Sequence, residues 1–252
     1  RKAEWSVVPA ELRDAERTAS KSQQADDGEF SRKIDSQDED IGSRAVIRNA
    51  RELVWYPSEV DTSIRTGWFY HPEEDTDVRT ADELLDIYLD AVGANASLLL
   101  NIPPDTHGRI AAPDCASLAE LGTKIQQIFA GNVTEKAKIT ADSAIAQHPI
   151  TQAVDGMADT YWQAAYGQEF DTITLKFPKP QKVSCVVLGE HLPTGQRIES
   201  GEIWADGSKV SEFTVVGHKR ICRFAPVEVL TLTIKITASR TEPTLRLLAV
   251  YQ

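Results

Sequence analysis

The chain has 252 residues, of which 41% are hydrophobic and 26% are charged. This is an ordinary composition for a globular protein with room for about two domains. The 38 acidic residues outnumber the 27 basic ones and give a formal net charge of -11. That excess argues against nucleic acid or an anionic membrane as a partner. No run of 18 apolar residues is present, so the sequence predicts no membrane insertion.

The first half of the chain predicts alternating strands and helices. After a short apolar segment, residues 15–44 are polar and carry seven acids between positions 26 and 40. This composition predicts a solvated acidic loop, which in a barrel enzyme would border the active site. The segment ELVWY at residues 52–56 then reads as a strand, and the following PSEVDTSIR reads as the loop at its carboxyl end.

Two helices and a further strand follow. Thr80 and Glu83 form a capping-box pattern that starts a helix, and Gly93 ends it. The apolar run SLLLNI at residues 97–102 predicts a buried parallel strand. A second helix is predicted from Asp114, read as its N-cap, to Gly131.

The most informative stretch is residues 51–71, RELVWYPSEVDTSIRTGWFYH. An aromatic ring can cover the apolar face of a sugar, while carboxylates and a guanidinium bind its hydroxyls. In an extended chain Glu59 and Asp61 point to the same side, and Val60 points away. The stretch therefore predicts a sugar pocket, and an amphipathic strand and turn with core aromatics is the alternative. It contains Trp55, Tyr56, Glu59, Asp61, Arg65, Trp68, Phe69, Tyr70 and His71.

Several motifs in this half resemble glycoside hydrolase family 29, the α-L-fucosidases. They are WYPSEVDTSIRTGWFYH, then ADELLDIYLDAVGANASLLLNIPPDTHGRI, then a helix that contains ELG. The SIR-x-GWFYH run is similar to the branch that cleaves α-1,3 and α-1,4 fucosyl linkages. The resemblance implies that residues 1–131 are the C-terminal part of a (β/α)8 TIM-like barrel. The earlier barrel strands, including the one with the nucleophilic aspartate, would lie in a missing N-terminal segment.

The resemblance also implies site roles in a retaining exo-glycosidase acting on fucosylated oligosaccharides, with no catalytic cofactor. Glu59 is the candidate acid/base, with sugar-hydroxyl binding as its alternative role. Asp61 joins Trp55, Arg65 and Trp68 as the expected substrate-binding residues. Arg65 has the alternative role of an internal clamp for the acidic loop, and Trp68 that of a barrel-core aromatic.

Beyond residue 132 helical periodicity vanishes and short β-rich runs recur, which predicts an all-β sandwich over residues 132–252. The order ITQAVDGMADTYWQA, LGEHLPTGQRIESGEIWAD, TVVGHKRICRF and ITASRTEPTLRLLAVYQ resembles the discoidin, or factor 5/8 type C, jelly roll. That resemblance implies a carbohydrate-binding module and a structural calcium held by Asp155 and Asp159. Without the metal, Asp155 and Gly156 form an ordinary turn. Sugar contacts would come from Tyr166, His191 or His218.

Three cysteines, Cys115, Cys185 and Cys222, do not make a disulfide framework, and buried free thiols are expected. A soluble, secreted or periplasmic bacterial protein is the expected setting. The expected function is α-L-fucosidase activity, with this chain as the C-terminal part of the enzyme. The alternative is a non-catalytic fragment whose jelly roll docks glycan or braces the barrel.

Overall fold

A computed structural model describes residues 5–11 and 42–252. Most of the acidic loop predicted at 15–44 therefore lies outside the described residues. In the described residues up to 131, strands and helices are interspersed as the sequence predicts, except that the strands Leu53–Trp55 and Ser58–Ser63 follow each other with no helix between them. The elements are β1 (Val7–Pro9), α1 (Arg44–Ile47), β2 (Leu53–Trp55), β3 (Ser58–Ser63), α2 (Ala81–Val92), β4 (Ala96–Asn101) and α3 (Ala112–Ile128).

Helix α2 begins and ends where the sequence predicts. The Thr80 hydroxyl accepts a hydrogen bond from the Glu83 amide at 3.3 Å, and the Glu83 carboxylate accepts one from the Thr80 amide at 2.8 Å. This capping box satisfies two amides that the first helical turn leaves unpaired. Gly93 caps the other end. Within the described ranges, every helix is too short or too polar to cross a bilayer.

Strands β3 and β4 pair in parallel, with α2 between them in the chain. Ser58 lies opposite Ala96 at one end of the pair, and Ser63 lies opposite Asn101 at the other. The predicted parallel strand at residues 97–102 is confirmed, but its predicted burial is wrong, because its side chains are half-buried or exposed. The β3–α2–β4 segment is a strand–helix–strand unit of the kind that barrels repeat. The rest of a barrel stays a prediction.

The regular elements of the second part of the chain are strands and single 3₁₀ turns. All pairings in its main sheet are antiparallel, in the order β12-β7-β10-β8-β9, with β5 also pairing with β7; β6 and β11 form a separate pair. The strands are β5 (Lys138–Ala141), β6 (Trp162–Gln163), β7 (Asp171–Gly189), β8 (Ile198–Ala205), β9 (Ser208–Phe213), β10 (Arg220–Ser239), β11 (Thr244–Leu245) and β12 (Leu247–Tyr251). Single 3₁₀ turns occupy Pro72–Glu74, Thr134–Lys136, Ile150–Ala153 and Leu192–Thr194.

The core of this part follows the two-residue period of its long strands. On β7, Ile173 and Leu175 are buried and lie opposite Ile234 and Leu232 of β10. The residues between them, such as Thr174, are half-buried. Burying one face of each strand fixes the register, because a slip by one residue would expose every core side chain. The predicted all-β character is confirmed.

The sequence predicts that Trp162 and Trp204 lie in the core and that the free thiols are buried, and two of these expectations are wrong. Trp162 is fully buried, as predicted, but Trp204 is half-buried at the surface under the Lys235 ammonium, 3.9 Å from the ring centroid. Its indole N–H finds a partner in the Glu202 carboxylate, so a core position is not required. Of the three free thiols, Cys115 is exposed; the other two are buried, as expected.

The two parts of the chain are joined by apolar and polar contacts. After α3, Phe129 packs edge-on against Tyr251 of β12, with ring centroids 5.4 Å apart. On the polar side, the Asn95 side chain donates to the Ser6 hydroxyl at 3.1 Å and accepts from the His218 amide at 2.6 Å. Gln196 accepts from the Ser6 amide at 2.9 Å. Loops next to the sheet therefore contact the segments that lead into β1 and β4.

Beneath this junction lies a fully buried carboxylate, Glu190. It accepts hydrogen bonds from the backbone amides of Arg197 at 2.6 Å, Ile198 at 2.9 Å and Gly217 at 2.7 Å. The side chain thus holds together the two loops that present Gln196 and His218 to the first part. Burial raises the pKa of Glu190 to about 7, although the three amides oppose the shift.

Because the pKa of Glu190 is raised in the folded protein, its contribution to the free energy of unfolding depends on pH. Since the folded protein binds the proton more tightly than the unfolded chain, the contribution of Glu190 is fully present below about pH 4.5 and is lost as pH rises through 7. We expect the free energy of unfolding of the wild type, relative to Glu190→Gln, to fall by roughly 3 kcal/mol between pH 4.5 and 8. Urea unfolding at each pH measures it, and a constant difference would contradict the assignment.

Candidate active site

The structure places the candidate pocket beside a different strand from the one that the sequence predicts. The predicted strand at residues 52–56 is the wrong one for a barrel, because β2 pairs antiparallel with β1, Val54 lying opposite Val8. The parallel strand is β3, in the segment predicted to be a loop. Pro57 separates the two strands, and this break explains the error.

Glu59 and Asp61 are both exposed on β3 and alternate with the half-buried Val60. They lie on one face of the strand, as the extended geometry predicts. Their partners on β4 are Ser97 and Leu99. This face of the parallel pair therefore carries two carboxylates beside Leu99, which is itself exposed.

The same placement disfavours Glu59 as the acid/base. It is the second residue of β3, about 13 Å from Ser63 at a rise of roughly 3.3 Å per residue. Barrel enzymes carry their chemistry at the carboxyl ends of the strands. Asp61 is closer to that end, and the residues after Ser63 are at it.

The segment after β3, residues 64–71, is named here the aromatic loop. Its side chains include Trp68, which is 51% exposed, and Phe69, which is 77% exposed. Trp55 is 53% exposed but belongs to β2, in the separate antiparallel pair. Of the two tryptophans predicted to bind substrate, Trp68 is therefore the one that lies at the carboxyl end of β3.

A buried guanidinium fixes the aromatic loop. Arg65 is 1% exposed, and its Nε donates to Asp114 Oδ2 at 3.1 Å. Its Nη2 donates to Asp75 Oδ1 at 2.8 Å, and its Nη1 donates to the His71 carbonyl at 3.3 Å. The guanidinium also lies 4.8 Å from the centre of the Tyr70 ring. All three nitrogens face protein partners, which favours the clamp role of Arg65 over direct sugar contact.

Asp114 is a partner of Arg65 that the sequence does not reveal. It is fully buried in the first turn of α3, whose N-cap is Ala111, so its reading as the N-cap is wrong. Pro113, at the second helical position, is the signal that places the helix start earlier. The pairing with Arg65 spans 49 positions, and no local pattern encodes it.

In the second part, the predicted calcium loop has a self-contained geometry. The Asp155 carboxylate accepts from the Met157 amide at 2.9 Å and from the Thr160 hydroxyl at 2.7 Å. Across residues 5–11 and 42–252, no three His, Cys, Asp or Glu side chains group as metal ligands. Calcium binding by Asp155 and Asp159, in which loop carbonyls would supply further oxygen ligands, stays a prediction. The turn reading fits Asp155 and Gly156.

The suggested sugar-contacting residues of this part differ in their surroundings. Tyr166 is largely exposed. His191 stacks on Tyr161, with centroids 3.9 Å apart, and His148 stacks on the opposite face of the same ring at 3.9 Å. Burial and neighbouring positive groups lower the pKa of His191. Both faces of Tyr161 are thus covered, so this ring offers no sugar platform.

The buried ion pair gives a direct test of the clamp. Arg65→Ala leaves the Asp114 carboxylate buried without its partner and should cost roughly 3–5 kcal/mol of unfolding free energy. Arg65→Lys should cost less, because it keeps the charge but cannot span Asp114 and Asp75 together. Denaturant unfolding measures both losses.

Arg109→Ala is the matched control. Its side chain is 72% exposed and lies 3.8 Å from Asp105, so the loss should stay under about 1 kcal/mol. Equal losses for the Arg65 and Arg109 variants would contradict the clamp.

Sequence comparisons relate the chain to a known enzyme family. Residues 15–127 match the sequence profile of the family Alpha-L-fucosidase. Alpha-L-fucosidase 1 of Arabidopsis thaliana is 32% identical over 209 residues, which are 78% of this chain and 41% of the plant protein. The chain thus spans about two fifths of the length of the curated relatives it matches.

Solved structures of related proteins also superpose on this chain. A candidate α-L-fucosidase from Bacteroides thetaiotaomicron superposes with a TM-score of 0.82 at 25% identity, covering 100% of this chain and 52% of that one. A Ruminococcus gnavus GH29 fucosidase in complex with fucose gives a TM-score of 0.73 at 27% identity, over 79% of this chain and 41% of its own. In sequence and in structure, the chain is therefore similar to the α-L-fucosidases of glycoside hydrolase family 29.

Proposed function

We propose that this chain is the C-terminal part of a retaining α-L-fucosidase that releases fucose from the ends of glycans. The observation that carries the proposal is the aromatic loop, which Arg65 holds at the carboxyl end of a parallel strand. That is the position where barrel enzymes bind substrate. The fucose complex of the R. gnavus relative supports the same sugar for this site.

The chemistry assigns distinct tasks to the described residues. A retaining glycosidase needs a carboxylate nucleophile and a second carboxyl group about 5–5.5 Å away. The family resemblance implies that the nucleophile lies upstream of this chain, in the missing N-terminal barrel segment. We propose that the same segment packs against the exposed face of β3. Trp68 covers the apolar face of fucose, which includes its methyl group, and Asp61 accepts hydrogen bonds from sugar hydroxyls.

The proposed substrates are α-1,3- and α-1,4-fucosylated oligosaccharides, met by a secreted or periplasmic protein. The SIR-x-GWFYH run, residues 63–71, supports this branch. Within it, Ile64 is buried and Arg65 is the clamp, so the run supplies both the anchor and the exposed aromatics. The linkage preference rests on this run alone.

For residues 132–252 we propose a discoidin-like jelly roll that braces the barrel part. The eight strands β5–β12 and their antiparallel pairing support it. Across the junction, Asn95 accepts a hydrogen bond from the His218 amide and Gln196 accepts one from the Ser6 amide. These contacts favour bracing over free glycan docking as the main role.

Fucose release from an α-1,3/1,4-fucosylated trisaccharide tests the proposal, with the mass of the denatured sample recorded. We expect release only when a species larger than 27.8 kDa, or a second species, is present, because the nucleophile lies outside this chain. In that active protein, Trp68→Ala should raise KM about tenfold or more, since an aromatic platform contributes on the order of 1–3 kcal/mol.

Phe170→Ala is the control, because Phe170 is also exposed but lies in the second part of the chain. Its KM should match the wild type. Release by a single 27.8 kDa species would contradict the upstream nucleophile, and no release by the complete protein would overturn the proposed function.

A further inference from the structure

Asn101 is the last residue of β4, and its side chain ties two elements together. Its amide nitrogen donates to the Ser63 hydroxyl at 3.1 Å and to the backbone carbonyl of Trp68 at 3.0 Å. An amide nitrogen carries two hydrogens, so both are used. The side chain therefore links the carboxyl ends of β3 and β4 to the middle of the aromatic loop.

The Ser63 hydroxyl group extends this link to two further residues of the aromatic loop. It donates to the Gly67 carbonyl at 2.8 Å and accepts from the Arg65 amide at 3.3 Å as well as from Asn101. The Ile64 amide donates to the backbone carbonyl of Asn101 at 3.0 Å. The turn from Ser63 to Trp68 is thus held by hydrogen bonds to the two strand ends.

Besides Ser63, which holds the Gly67 carbonyl, two side chains hold backbone carbonyls of the aromatic loop. Asn101 holds the carbonyl of Trp68, and Arg65 holds the carbonyl of His71. The Trp68 side chain is half-exposed, so packing against a core does not fix where it points. Its position depends on where the backbone of the loop is held.

We propose that Asn101 is a positioning residue for the fucosidase reaction, acting through Trp68. This inference rests on the proposed function and deepens it, because it names the group that sets the aromatic wall of the sugar site. The role requires a donor. An aspartate at this position has the same shape but, when ionised, accepts only and repels the Trp68 carbonyl.

Asn101→Asp in the complete, active protein tests the proposal with the fucosylated trisaccharide. We expect KM to rise about tenfold at pH 7.5 with a smaller change in kcat, since one hydrogen bond that places a binding group is lost. As pH falls, the new carboxyl group gains a proton and can donate again. The ratio of the variant KM to the wild-type KM should then decrease toward one.

A double-mutant cycle separates positioning from a merely structural role. If Asn101 acts through Trp68, Asn101→Asp adds no further rise in KM to Trp68→Ala. A loop that simply unfolds would give additive losses and a lower melting temperature. Should Asn101→Asp fail to fold, Asn101→Ala replaces it in the same cycle, because it removes the donors without adding charge.

Asn132→Asp is the control for the added charge. Asn132 Oδ1 only accepts, from the Thr134 amide and hydroxyl, so its contacts survive the change and KM should stay at the wild-type value. An unchanged KM for the Asn101 variant of an active enzyme, or additivity with Trp68→Ala, would overturn the inference. Absence of fucose release by the wild type would instead mean that the proposed function has failed.

Discussion

The ion pair between Arg65 and Asp114 is the contact on which the candidate site depends. Both side chains are fully removed from solvent, in a place where either charge alone would be costly. Asp75 and the His71 carbonyl take the remaining guanidinium nitrogens. The pair therefore ties the first turn of α3 to the aromatic loop, and it allows an exposed tryptophan to keep a defined position without a core around it.

Much of the fold could be predicted from the sequence, because local patterns encode it. The capping box of Thr80 and Glu83 fixes the start of α2, and the two-residue period of β7 and β10 specifies the sheet. The strand boundary at Pro57 was misplaced because β-rich runs flank that proline on both sides, and only pairing with β4 distinguishes them. The pairing is non-local, and composition does not show it.

The site was predictable in its residue types but not in their roles. Aromatics and acids near residue 60 point to sugar, yet the sequence does not show which end of a strand a residue occupies. The sequence thus offers Glu59 as the acid/base without showing that it lies near the start of β3, and it does not show that Asn101 contacts the aromatic loop. The partners of Arg65 come from α3 and from the turn at Asp75, and such long-range contacts become visible only in three dimensions.

The most direct measurement is a crystal structure of the complete protein with fucose bound. We predict that the Trp68 ring lies against the sugar, that Asn101 still donates to the Trp68 carbonyl, and that Glu59 lies away from the glycosidic carbon. Fucose in contact with Glu59, with the aromatic loop distant from the sugar, would contradict this prediction.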